Sequence, residues 1–245
     1  MSEFEREFTL RISECDVNSL WRLGAMMTEM QETAGDHSDA IGCGRAALMK
    51  EGLAWVVARM EILMTRYPTF GEKITVRTWH RPTRHRFFPR FFRITDGEGK
   101  IIAQASSLWL LMDLETRQSV DAGRLPTPLP DNSGMPEEIP LPKGILSLET
   151  PETMHAYTSV YTDLDGNGHV NNTRYVDWLC NALGTETMTA HPPERLTIHF
   201  DSEVRAEQPV DMRLKRDGLR YQMTGIHDGR TAFEISGTLM ETPKT

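Results

Sequence analysis

The sequence predicts an α+β fold that is built twice along the chain. Three observations lead to this prediction: each half carries a long apolar helix pattern followed by several strands, an aspartate turn precedes each helix, and a proline-rich stretch separates the halves. A separation of 149 residues that sets Asp165 on Asp16 also sets Asn167 on Asn18. We therefore expect an internal duplication, with two antiparallel sheets that each wrap a central helix.

The first half begins with a weakly alternating strand at 3–12, and a helix follows that we expect Gly35 to end. The apolar face of this helix is formed by four large side chains, Leu20, Leu23, Met27 and Met30. After a helical turn near 45–50, alternation predicts strands at 53–65, 73–80, 84–95 and 101–112. A strong hairpin sequence joins the last two, Asp96-Gly97-Glu98-Gly99.

The pattern restarts after the proline-rich stretch, and Gly184 is expected to end the second helix, as Gly35 ends the first. We expect further strands at 153–161, 195–204, 210–215, 219–227 and 231–241. The predicted units are 1–125, a linker at 126–151, and 152–245.

Composition narrows the classes of protein. The 245 residues carry 27 Lys and Arg against 35 Asp and Glu, and a net charge of -8 argues against nucleic-acid or anionic-membrane binding. The N-terminus is too charged for a signal peptide, and the longest strongly apolar run, 108–112, is too short to insert into a membrane. Three cysteines without a Cys-x-x-Cys pair predict no disulfide framework. We expect a cytoplasmic monomer or homodimer.

Residues 163–175 concentrate acids, amides, a histidine and glycines before the second helix. This composition predicts an active-site loop, with Asn167 and His169 at a helix N-terminus whose free amides stabilise negative charge. The first eight positions also match a calcium loop, but Arg174 stands where that loop needs a bidentate Glu. A plain capping turn would explain Asp165 and Asn167 but not His169 and Asn172.

The loop resembles the motif of acyl-ACP thioesterases, which are tandem hotdog-fold enzymes. The matching residues are Asp165-Gly166-Asn167-Gly168-His169-Val170-Asn171-Asn172-x-x-Tyr175. Four further segments resemble the N-terminal half of the same family, and the resemblance covers nearly the whole chain: 55–60, 67–79, 105–109 and 116–117. It implies hydrolysis of a fatty acyl-acyl carrier protein thioester to free fatty acid, with acyl carrier protein as partner and no metal or other cofactor.

The resemblance also implies the catalytic groups: Asp165, Asn167 and His169, and a Glu about thirty-four residues later, which is Glu203. Val204 stands where many plant members have Cys, so a carboxylate and water mechanism is favoured. We expect Glu203 to be the general base, while Asn167, His169 and helix amides hold the carbonyl oxygen or the water. Asp165 would orient a neighbour. In the first copy Leu20 replaces His169, which predicts one functional site per chain.

Period-two alternation from Leu196 to Val204 puts Glu203 on the opposite strand face from the apolar residues. Either the site is reached at the seam between the halves, or a bulge re-aims the side chain. The spacing His199-x-Asp201-x-Glu203 is also compatible with three metal ligands on one face.

Two further sites are predicted. The apolar helix face of Leu20, Leu23, Met27 and Met30, with Asn172, is expected to bind the acyl chain. An acid-free basic stretch, of which Arg84, Arg86 and Arg90 are part, is expected to dock the acidic carrier protein. The alternatives are an acyl-CoA thioesterase, a non-catalytic protein that binds or senses acyl thioesters, and a dehydratase or hydratase.

Overall fold

The computed structural model describes residues 1–145 and 150–242. The helices are Leu23–Ala40 (α1), Arg45–Lys50 (α2), Asn172–Leu183 (α3) and Thr185–Ala190 (α4). The strands of the first half are Phe4–Thr9 (β1), Leu53–Met64 (β2), Lys73–His80 (β3), Phe88–Asp96 (β4), Ile101–Asp113 (β5) and Ser119–Val120 (β6). Those of the second half are Thr153–Thr158 (β7), Pro193–Phe200 (β8), Pro209–Asp217 (β9), Arg220–His227 (β10) and Arg230–Leu239 (β11).

The strands form one antiparallel sheet in the order β1-β3-β4-β5-β2-β8-β11-β10-β9-β7, and β6 pairs with β5. The two halves meet where β2 pairs with β8, from Arg59 opposite His199 to Leu63 opposite Arg195. The α+β fold with helix-wrapping sheets is therefore confirmed, and the two predicted sheets are continuous across this seam. Among the described residues, no helix is both long enough and apolar enough to cross a membrane.

The duplication is visible in the element bounds. β1 and β7 begin at Phe4 and Thr153, and α1 and α3 begin at Leu23 and Asn172, so both pairs keep the separation of 149 residues. The correspondence between the two halves does not extend to the helix ends, where Gly35 and Gly184 are 149 residues apart but behave differently. Gly184 has a φ of 83° and ends α3, whereas α1 continues past Gly35 to Ala40. The predicted end of α1 is therefore wrong, because Gly35 has no positive φ and keeps the helical backbone.

The proline-rich linker lies along the first half. Asn132 donates from its amide to the His80 carbonyl at 3.0 Å, and Trp79 donates from its indole to the Pro136 carbonyl at 2.9 Å. Ile139 is buried. Hydrogen bonds between side chains and backbone carbonyls, given in both directions, hold the linker here in place of the backbone pairing of a strand. Linker residues 146–149 lie outside the described residues, and the predicted unit boundaries stay predictions.

A buried polar junction holds α1 against β3 and β4. The Arg90 guanidinium donates to His37 Nδ1 at 3.1 Å, to Thr78 Oγ1 at 3.2 Å and to Ser38 Oγ at 3.3 Å. The rings of His37 and His80 stack with centroids 5.9 Å apart. Burial and the nearby Arg90 charge lower the pKa of His37 and the pKa of His80 from 6.5 to about 4. Both rings are therefore neutral at pH 7.

This junction predicts a loss of stability in acid. A histidine whose pKa is about 4 in the folded chain and 6.5 in the unfolded chain binds more protons when unfolded, so the free energy of unfolding falls as the pH drops from 6.5 towards 4. Each such proton contributes a slope of up to about 1.4 kcal/mol per pH unit. Urea unfolding at a series of pH values across this range measures the free energy of unfolding, which should fall less steeply with decreasing pH in His80→Phe than in the wild-type protein. His85→Asn, at an exposed position, should keep the wild-type slope; equal slopes for all three proteins would contradict the assignment.

The core predicts a second stability effect. Met27 of α1 is fully buried and belongs to the core cluster to which both halves contribute, so Met27→Ala should lower the free energy of unfolding by about 2–5 kcal/mol. Met154→Ala, at a side chain that is 65% exposed, is the matched control and should cost well under 1 kcal/mol. Thermal or urea unfolding of the two variants measures the difference, and a Met27→Ala protein as stable as the control would show that this region is not close-packed.

Candidate active site

A cavity of about 560 Å³ lies between the two halves. The first half supplies most of its apolar wall, from α2, β2, β4 and β5: Leu48, Leu53, Trp55, Phe88, Trp109 and Met112. The second half supplies polar groups at one end: Asp165, Asn167, His169 and Glu203. The four residues predicted to be catalytic are thus brought together at this end of the cavity.

The turn before α3 is organised by the Asp165 carboxylate. Its Oδ1 accepts from the Asn167 amide at 2.8 Å and from the His169 amide at 3.3 Å. The Gly168 amide donates to the Asp165 carbonyl at 3.1 Å, and Gly168 has a φ of 78°, which glycine adopts without strain. Asp165 therefore shapes the turn, as an Asx turn does, and positions the two side chains that follow it.

Glu203 lies between the halves. Its Oε2 is 3.2 Å from His169 Nε2, and its Oε1 accepts from Arg117 Nη2 at 2.6 Å. The Glu203 side chain is 40% exposed and that of His169 is 20% exposed. The carboxylate is thus held from both sides and still has lone pairs facing water.

Asn167 is held in a similar way. Its amide oxygen accepts from Arg45 Nη2 at 3.3 Å, and its Nδ2 donates to Asp165 Oδ2 at 3.2 Å. The second Nδ2 hydrogen remains available to an acceptor in the cavity. Arg45 begins α2, so this contact, like that of Arg117 with Glu203, joins the first half to the second.

The predicted role of the helix amides is not supported. α3 begins only at Asn172, where the Asn171 side chain caps it by accepting the Thr173 amide at 3.0 Å. The amides of Asn167, Gly168 and His169 are already bonded to Asp165. Asn172 does not line the cavity, because the chain turns away from the cavity wall when the helix starts.

The apolar face predicted to bind the acyl chain lies elsewhere. Its four residues belong to the buried core and none lines the cavity: Leu20, Leu23, Met27 and Met30. α1 contributes instead a later stretch around Ala34, Gly35 and Ser38. The prediction placed the ligand on the most apolar side of the helix, but this side is the one that packs against the sheet and α3.

The predicted docking arginines separate into three environments. Arg84 is ion-paired with Glu137 of the linker. Arg86 is exposed and lies 5.9 Å from the ring centre of Phe87. Arg90 is only 8% exposed and cannot dock a protein partner from that position. Arg84 and Arg86 do not line the cavity. The three arginines are neighbours in the sequence, but they do not form one basic surface in the structure.

The alternative metal trio is not assembled. β8 ends at Phe200, so strand alternation does not reach Glu203. His199 Nε2 lies 2.7 Å from the Lys143 carbonyl, whereas Glu203 is bonded to His169 and Arg117. Across 1–145 and 150–242, no three His, Cys, Asp or Glu side chains are arranged to hold a metal ion.

The first copy repeats the turn without its chemistry. Asp16 Oδ1 accepts the Asn18 amide at 2.8 Å and the Leu20 amide at 3.0 Å, as Asp165 does in the second copy. Trp21 and Val170 are equivalent residues of the two copies, and their amides donate to the carbonyls of Pro68 and Val204. Pro68 and Val204 are therefore equivalent, and so are the residues before them, Tyr67 and Glu203. Tyr67 is buried and donates to the Pro193 carbonyl at 2.8 Å. The cleft of about 830 Å³ at this position therefore has no counterpart of His169 or Glu203, and its carboxylates are those of Asp16, Asp163 and Asp177.

Arg45 and Arg117 also line the cavity, and the sequence predicted a role for neither, although 116–117 is one of the segments that resemble the family. They lie 122 and 86 residues from their partners, and neither is part of a motif with the second-half residues. Arg117 has a φ of 57° in the turn that follows β5. A positive φ is uncommon for a residue other than glycine, and this unusual backbone conformation of Arg117 is visible in the structure but not in the sequence.

Comparison with known proteins agrees with this architecture. A palmitoyl-acyl carrier protein thioesterase of Cuphea hookeriana is 29% identical over 228 residues, covering 85% of this chain and 53% of its own length. One of Gossypium hirsutum is 26% identical, covering 95% and 57%. The chain therefore spans about half the length of these curated relatives.

Solved structures show the same fold. An acyl-ACP thioesterase of Bacteroides thetaiotaomicron superimposes with a TM-score of 0.89 at 23% identity, covering 97% of this chain and 98% of the other. The 12:0-ACP thioesterase of Umbellularia californica gives a TM-score of 0.84 at 23% identity, with 97% of each chain covered.

Family models match both halves. Residues 1–122 match the acyl-ACP thioesterase N-terminal domain, and residues 147–238 match the acyl-ACP thioesterase C-terminal domain. These two matches together span most of the chain, and the N-terminal domain precedes the C-terminal domain as their names require. The chain belongs to the acyl-ACP thioesterase family.

Proposed function

We propose that the protein hydrolyses the thioester of a fatty acyl-acyl carrier protein to free fatty acid and carrier protein. The observation that carries this proposal is one cavity in which an apolar wall from the first half meets the Glu203, His169 and Asn167 side chains of the second. An acyl chain fits the wall, and its thioester then lies beside the polar groups. The family membership and the names of the relatives point to the same substrate class.

Water is the nucleophile in this proposal, and Glu203 is the general base. Arg117 and His169 each occupy one carboxylate oxygen of Glu203, which fixes its orientation and leaves lone pairs for a water proton. The water oxygen adds to the thioester carbonyl as Glu203 takes the proton. Because a thiolate with a pKa near 8.5 leaves readily, collapse of the tetrahedral intermediate needs less assistance than it would for an amide.

The negative charge that develops on the carbonyl oxygen needs donors. The free Nδ2 hydrogen of Asn167 and the guanidinium of Arg45 are both at this end of the cavity. Asp165 holds the Asn167 amide in one orientation, so the donor is prepared before the substrate arrives. In this mechanism Asp165 is a positioning residue, and Asn167 and Glu203 act on the reacting atoms.

The carrier protein is proposed to dock around the cavity opening. Arg45 and Arg117 line the cavity, and Arg205 is exposed with its backbone paired to that of His169. These cations suit an acidic partner and the phosphate of its prosthetic arm. Because coenzyme A carries similar phosphates, acyl-CoA is the second carrier to assay. The cytoplasmic location and the monomeric or homodimeric state stay predictions.

The base assignment predicts the effect of Glu203→Gln. The amide keeps the size of the side chain but cannot accept a proton from water, so kcat for acyl-ACP should fall by about 100-fold or more. The matched control is Glu207→Gln, an exposed carboxylate four residues later in the same loop. Steady-state release of free fatty acid measures both variants, with folding checked by thermal unfolding. Near-normal turnover by a folded Glu203→Gln protein would refute the assignment.

The docking proposal predicts a carrier-specific effect of Arg205→Glu. Charge reversal beside the opening should raise KM for acyl-ACP by about tenfold at low salt, because an acidic partner is repelled. KM for an acyl thioester of a small neutral thiol should hardly change. Arg230→Glu, at the exposed start of β11, is the control and should leave both values alone. Equal effects on the two substrates would show that the carrier docks elsewhere.

A further inference from the structure

A buried cation lies in the cavity wall, away from the candidate catalytic groups. Arg90 lines the cavity and is only 8% exposed. Its three bonds, to His37, Thr78 and Ser38, leave two of the five guanidinium donors for another partner. Within the described residues no carboxylate lies within ion-pair distance of it. A buried charge of this kind normally requires a counter-charge, because its desolvation is costly.

His80 adds a second unsatisfied group at the same place. It lines the cavity and is only 4% exposed, and neither ring nitrogen is in full hydrogen-bond geometry with a described residue, although the Arg81 backbone lies close enough to oppose the lowering of the His80 pKa. His80 pairs with Arg90 across β3 and β4. The neutral ring offers one donor and one acceptor. Together with the free donors of Arg90, it forms a polar patch in a wall that is otherwise largely apolar.

The sheet order places this patch far from Glu203. Glu203 follows β8, whereas Arg90 is on β4, and β5 and β2 lie between these two strands. Three spacings between neighbouring strands amount to roughly 14 Å. Residues of the intervening strands line the same cavity, such as Trp55 and Trp109. An acyl chain with its thioester at Glu203 would therefore cross these apolar residues before its far end meets Arg90 and His80.

We propose that the enzyme prefers acyl chains whose far end carries a carboxylate, which Arg90 and His80 recognise. This inference rests on the proposed thioester hydrolysis and specifies its substrate class. A carboxylate supplies the charge that Arg90 lacks and accepts hydrogen bonds from Arg90 and from the His80 ring. A terminal methyl group would instead leave these donors unpaired after displacing any water around them. A terminal hydroxyl satisfies part of the patch without neutralising the charge.

The test is a panel of acyl-ACPs from octanoyl to hexadecanoyl, each with a terminal methyl, hydroxyl or carboxyl group. At the chain length that reaches the patch, we expect kcat/KM for the carboxyl-terminated substrate to exceed that for the methyl-terminated one by about tenfold or more. The hydroxyl-terminated substrate should lie between them. At shorter lengths the carboxylate would be buried against the apolar wall, and the preference should reverse. A preference for methyl ends at every length would overturn the inference.

Substitutions at Arg90 and His80 test whether these two residues cause the preference for a terminal carboxylate. Arg90→Met and His80→Phe should each remove most of the carboxylate preference, and Arg90→Lys, which keeps the charge, should retain part of it if Arg90→Met fails to fold. Arg93→Met is the matched control, because Arg93 is on the same strand, is ion-paired with Glu138 and does not line the cavity. A preference that persists unchanged in folded His80→Phe and Arg90→Met proteins would also overturn the inference.

Binding separates this inference from the proposed function. Calorimetry with free fatty acids and dicarboxylic acids of matched length requires no turnover. Tighter binding of a dicarboxylic acid that depends on Arg90, in a protein that hydrolyses none of the thioesters, would support the patch and refute the proposed hydrolysis. Hydrolysis of methyl-terminated substrates with no dicarboxylic acid preference in either assay would support hydrolysis and refute the patch.

Discussion

The pairing of β2 with β8 is the constraint on which the rest of the structure depends. β2 carries wall residues of the cavity, and β8 leads directly into the loop that carries Glu203. Because the two strands are edge to edge, Arg117 and Arg45 of the first half reach Glu203 and Asn167 of the second. Neither half alone would contain both the apolar wall and the polar end. The site is therefore a product of the seam, and the backbone bonds of the seam set its geometry.

Duplication followed by divergence explains why the two ends of the molecule differ. Both copies keep the aspartate turn, because its carboxylate bonds backbone amides and shapes the chain whether or not chemistry follows. The positions of His169 and Glu203 are occupied by Leu20 and Tyr67 in the first copy. That copy contributes instead a longer first helix and the short α2, which supply wall and Arg45 to the cavity. One copy thus provides the proposed chemistry, while the other provides the volume for the proposed substrate.

Much of this arrangement is predictable from the sequence, for identifiable reasons. Alternation and turn residues located the strands, and the bounds of β3 agree with the prediction because Lys73–His80 alternates regularly between clear turns. The catalytic candidates were found because three of them share one short motif. The face predicted to bind the acyl chain lies in the core and not at the cavity, since the periodicity that marks Leu20 and Met27 as apolar is the same for a packed face as for a ligand wall. Arg45, Arg117 and the buried state of Arg90 depend on contacts between distant segments, which no local pattern records.

The most direct test of the account is a crystal structure with an acyl-ACP analogue in which an amide replaces the thioester. The account predicts that the carbonyl lies within hydrogen-bond distance of the Asn167 side chain, beside the Glu203 carboxylate. The chain should run from there between the second half of α1 and the strands β2, β5 and β4. A chain bound instead in the cleft beside Asp16 and Tyr67, or a carbonyl remote from Glu203, would contradict it.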